Sequence, residues 1–139
     1  MTRIDFHSNV ADKLNYTCRL IRKAHAAKSK MVVFHHDRVF LQKLSMALWT
    51  LTEADFLPHV MLTDPLSSCT PIVLSYDDRA ACPHYDVLIN LTAETPANFT
   101  QFQRMIEVIS ADDADKLAGR ERYRHYQQQG YPLTHSVAK

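Results

Sequence analysis

The chain has 139 residues, enough for one domain with a substantial apolar core, and its 46% hydrophobic and 22% charged residues exclude a disordered chain. A formal net charge of +1 leaves no global field of the kind that marks nucleic-acid or membrane-surface binders. The charge is nevertheless uneven: six bases and no acid lie between Lys13 and Lys30, whereas Arg79 is the only base between Leu44 and Phe99.

Ile4 to His7 reads as a short first strand. Ser8 or Asn9 can cap a helix from about Ala11 to Ala27, in which Leu14, Cys18, Ile21 and His25 form the inward stripe. Lys30 to His36 is a β-rich run, and Asp37 is placed to cap a second helix reaching about Trp49. Phe40, Leu41, Leu44, Leu48 and Leu51 make that helix's inward face, while Trp49 projects on the far side near Gln42, Ser45 and Met46. Phe56 to Leu62 leads into a short strand. Pro71–Ser75 and Asp86–Leu91 are further strands, and the unbroken Val87-Leu88-Ile89 run implies cover on both faces. Thr95 to Phe102 holds at most a helical turn or a short helix. Arg104 to Ile109 is then a last strand, and Asp113 to Gln129 a last helix stopped by Gly130, with Pro132 beyond. This alternation predicts a single three-layer α/β domain over residues 1–139, with a mainly parallel central sheet.

Such a fold usually binds nucleotides through a glycine-rich turn, and Gly119 and Gly130 are the only glycines. The fold is therefore Rossmann-like without a nucleotide loop. Cys18, Cys69 and Cys82 are too scattered for a disulfide framework or a zinc ribbon, which fits a reduced, cytoplasmic protein. No apolar signal core opens the chain and no apolar run reaches membrane-spanning length. His35 and His36 are adjacent and point to opposite faces of a strand. Cys82, His84 and Asp86 read as an ordinary polar loop, so neither a metal site nor a cofactor is expected. Asp77-Asp78 sits where a turn would, and no nucleophile motif is present; nothing calls for catalysis.

Two surfaces remain. Lys116, Arg120, Tyr123, Arg124 and Gln127 fall within about a quarter turn of one another on the last helix. A cationic stripe around an aromatic ring suits an acidic peptide carrying an apolar group, with Ile109 as a floor, although a solvated helix face is the commoner use of such a pattern. Trp49 with Phe56 suits a hydrophobic interface anchor, or a loop that folds back and buries both.

Gly119 to Leu133 also resembles the C-terminal signature of the chi subunit of bacterial DNA polymerase III: Arg-Glu-Arg-Tyr, a base, any residue and Tyr, then a glycine, an aromatic and a short polar tail. Ala47-Leu48-Trp49, Phe56-Leu57-Pro58-His59 and Asp86–Leu91 look like further elements of that family, with matching order and spacing from about Leu41 onward. The resemblance implies a non-catalytic accessory subunit of the clamp-loader complex. It would join the psi subunit to the acidic, phenylalanine-ended C-terminal tail of single-stranded-DNA-binding protein during DNA replication. Carried over by position, Ile109, Lys116, Arg120, Tyr123 and Arg124 would hold the tail, and Trp49 and Phe56 would anchor psi, on a surface also implicated in binding a repair helicase. Little direct DNA binding and no membrane contact are expected. Two departures are an Arg at position 124, where Lys is common, and Gly119, which costs a helix about 1 kcal/mol relative to Ala. The competing readings are a small Rossmann-like nucleotide-dependent enzyme and a direct DNA-binding protein using the basic first and last helices.

Overall fold

A computed structural model describes residues 2–50 and 58–137. In it seven parallel strands run in the order β3-β4-β2-β5-β6-β1-β7. They are β1 (Arg3–Val10), β2 (Met31–Phe34), β3 (His59–Met61), β4 (Ile72–Ser75), β5 (Val87–Asn90), β6 (Arg104–Ser110) and β7 (Leu133–Val137). Three α-helices connect them: α1 (Lys13–Ala26), α2 (Arg38–Thr50) and α3 (Asp113–Gln128). The short stretch after Thr95 is a single 3-10 turn, Phe99–Gln101.

The sheet has an apolar cluster on each face, as three layers require. On one side α1 and α2 place Cys18, Ile21, Leu41, Leu44 and Leu48 over Met31, Val33, Ile89, Ile106 and Val108. On the other, α3 places Tyr126 and Tyr123 over Ile4, Phe6, Val32, Met105 and Ile109. The central strands β2 and β5 are buried along their whole length, consistent with the continuous apolar runs from which they were expected.

Three local expectations need correction. Helix α1 is capped by Asp12, which accepts from the Asn15 amide, and not by Ser8 or Asn9. Those two residues extend β1 instead, with a bulge between His7 and Val10 at which Asn9 takes φ 59°, a conformation Asn tolerates better than most residues. The segment after Gly130, read as a polar tail, is the edge strand β7 in register with β1. Gly130 does end α3 as expected. At φ 83° it lets its amide bond Gln127 O and the Tyr131 amide bond Tyr126 O, a Schellman closure.

Candidate functional site

Helix α3 lies over β6 and β1, and its side facing β7 opens a cleft of about 400 Å³. Asp112 starts the helix by accepting from the Asp115 amide. Asp115 in turn accepts from the Ser110 amide at 2.7 Å and pairs with Lys13 at 3.0 Å, so the start of α3 is fastened to β6 and α1. Burial alone would raise the Asp115 carboxyl, but the Ser110 amide and Lys13 outweigh it and hold it below the usual carboxylate range.

Lys116, Arg120, Tyr123 and Arg124 project from one side of the helix into this cleft, and Ile109 of β6 lines it from below. The five residues expected to act together thus share one concavity. Gln127, placed on the same stripe by its spacing, is exposed and does not line it. Phe6 meets Tyr123 edge-on at 5.0 Å between ring centres and completes an apolar base. Three side-chain cations and no carboxylate line the cleft among the described residues. Such a composition suits an acidic ligand with a hydrophobic end.

The opposite wall was not anticipated. Ser8 and Asn9 of β1 and His135 of β7 line it, and the Ser8 hydroxyl hydrogen-bonds His135 Nε2 at 2.7 Å. No local sequence pattern marks them, because β7 is almost wholly exposed and lacks an apolar face. Gly119 also takes on a role. A Cβ there would stand 2.4 Å from Ile109 Cδ1, so the absent side chain is what lets α3 settle this low over β6.

The second surface lies elsewhere. Trp49 stands at the end of α2, on the face of the sheet opposite α3, with 52% of its surface exposed. Its ring lies 4.6 Å from that of His59 on the edge strand β3, and Ser45 bonds His59 Nε2 at 3.0 Å. Met46 and Val39 continue an exposed apolar stripe along the helix. Phe56, expected beside Trp49, falls outside the described residues.

His35 stacks on Phe40, and His36 contacts Phe34 and approaches Glu94 at 3.5 Å. His84 approaches Thr70 O, while burial pushes the Cys82 thiol up. Among the described residues no three His, Cys, Asp or Glu side chains gather as a metal would require, and no helix is long and apolar enough to cross a membrane.

Residues 1–134 match the family model described as "DNA polymerase III chi subunit, HolC". The chain belongs to the DNA polymerase III chi subunit family. Three similar proteins carry the description "DNA polymerase III subunit chi". The one from Pseudomonas aeruginosa is 31% identical over 137 residues, covering 96% of this chain and 94% of that protein. The Haemophilus influenzae protein is 27% identical over 117 residues (84% and 81%) and the Escherichia coli protein 21% over 122 residues (88% and 83%). Membership in the chi family gives the chain an accessory role in DNA replication, in association with the polymerase III complex.

Proposed function

We propose that this chi-family chain is a non-catalytic, cytoplasmic adaptor of the clamp-loader complex. Its α3 cleft captures the acidic C-terminal tail of single-stranded-DNA-binding protein. The observation that carries this reading is the cleft itself: Lys116, Arg120 and Arg124 surround an apolar base of Phe6, Ile109 and Tyr123. Guanidinium groups hold carboxylates in two-point fashion, and the ring and aliphatic surface accept the terminal phenyl group. The half-exposed Trp49, extended by Met46, anchors the psi subunit, and a repair helicase competes for the same face.

Titration of the full chain with an acidic peptide ending in Asp-Ile-Pro-Phe, against the same peptide lacking Phe, tests the cleft. Strong preference for the intact peptide is expected, and equal or absent binding of both sinks the assignment. Arg120→Ala should weaken the intact peptide by roughly tenfold or more, the scale of one lost charged hydrogen-bond pair. Trp49→Ala should leave that binding alone and weaken psi. DNA alone, without the tail-bearing protein, should bind little; steep salt-dependent affinity for it would favour a direct nucleic-acid binder.

A further inference from the structure

The β7 side of the cleft holds a residue that the cationic stripe does not account for. In the parallel register His135 lies beside Phe6, which turns its ring toward α3, and the His135 ring centre stands 6.4 Å from that of Tyr123. The imidazole shares the cleft with Lys116, Arg120 and Arg124 and is bridged through Nε2 to Ser8. A serine hydroxyl can donate to a neutral ring nitrogen or accept from a protonated one, so this partner serves both states of the imidazole.

We propose that His135, supported by Ser8, is a fourth, pH-gated anion contact of the cleft, placed to receive a carboxylate of an acidic ligand from the wall opposite α3. The inference rests on the peptide-binding reading of that cleft. The titratable and charged groups that share the cleft with His135 are Lys116, Arg120, Tyr123 and Arg124 from α3, and Ser8 bonds it from β1. His7 is the neighbouring imidazole: it lies on the other face of β1 and bonds Tyr16 of α1, and the charge of His135 acts on it only weakly. An acidic ligand brings negative charge against the imidazole, which favours the charged form of the ring. Carboxylates titrate near 4, and Lys, Arg and Tyr near 10 or above, which leaves histidine as the group that responds between about pH 6 and 8.

The test uses the full chain and a labelled acidic peptide ending in Asp-Ile-Pro-Phe, with affinity read by fluorescence anisotropy at about pH 6 and about pH 8. Wild type should bind roughly three- to tenfold tighter at the lower pH. His135→Gln should bring the ratio of the two affinities to about one, whatever its absolute affinity, and His135→Arg, charged throughout, should also give about one. His7→Gln should keep the wild-type ratio. Tight wild-type binding that does not change with pH overturns the inference, as does a His135→Gln chain that keeps the wild-type ratio. A wild-type chain that binds the peptide at neither pH overturns the tail reading first, and this inference with it.

Discussion

Arg122 sits between Arg120 and Arg124 on α3 yet faces the other way, into the core, where it pairs with Glu107 of β6 at 2.7 Å. Glu107 is fully buried and also accepts from Asn90 and Tyr126, and Arg122 Nη1 reaches Ala93 O at 2.6 Å. Burial pushes the Glu107 carboxyl above its usual range, although Arg122, Asn90 and Tyr126 all pull it back. The two partners should differ when removed. Glu107→Gln strands a guanidinium that cannot lose its proton, and should cost about 3–5 kcal/mol across neutral pH. Arg122→Met strands a carboxylate that can take one up. Its folded state then binds that proton more tightly than the unfolded chain does, so stability is highest below about pH 4.3 and is lost as pH rises through the raised folded value. Urea unfolding of Arg122→Met from about pH 8 down to pH 5 should therefore show recovering stability; a flat profile would contradict it. In the sequence Arg122 looks like one more solvated base. The readable clue was Glu107, a lone acid inside an otherwise apolar strand, which needs a buried partner.

The gap between α3 and β6 is set where Gly119 meets Ile109. Gly119→Ala gains helix propensity of up to about 1 kcal/mol but drives a methyl into the Ile109 side chain, and overpacking of that kind costs about 1–3 kcal/mol. The expected result is a lower melting temperature together with weaker tail-peptide binding, since Ile109 lines the cleft. Ile109→Val removes the closest atom, so the double variant should recover part of both losses by differential scanning fluorimetry and peptide titration. Elements with one strong pattern were legible: the apolar runs gave β2 and β5, and a start near Asp113 with the Gly130 stop bounded α3 to within a residue or so. Strand β7 was not, because four of its five residues are exposed and it offers no apolar face. What holds it is its pairing with β1 and a polar contact under the strand. Burial would raise the Asp5 carboxyl, but the Thr134 hydroxyl and Arg104 hold it below the ordinary range. One wall of the cleft was legible because it repeats at helical spacing on a single element. The other is assembled from β1 and β7, strands more than a hundred residues apart, and no local pattern announces it.

Across the whole molecule the two surfaces sit on opposite faces and near opposite edges of the sheet, Trp49 by β3 and the cleft by β1 and β7. Six inter-strand steps at about 4.8 Å separate the edge strands by about 29 Å, well beyond a Debye length of about 8 Å in physiological salt. With a close-packed sheet between them, occupation of one should not alter affinity at the other. Tail-peptide titration of wild type and Trp49→Ala, with and without the psi partner, should give dissociation constants equal within twofold or so; a larger change would mean that the sheet transmits a signal. An adaptor with uncoupled ends acts as a tether, raising local concentration without switching either partner. The pairing of β7 with β1 adds a consequence for synthesis. Of the described strands, β1 leaves the ribosome first and β7 last, so every other strand and helix can form before the second wall of the cleft exists. On the proposed reading, a nascent chain would complete its Trp49 face before its tail-binding cleft.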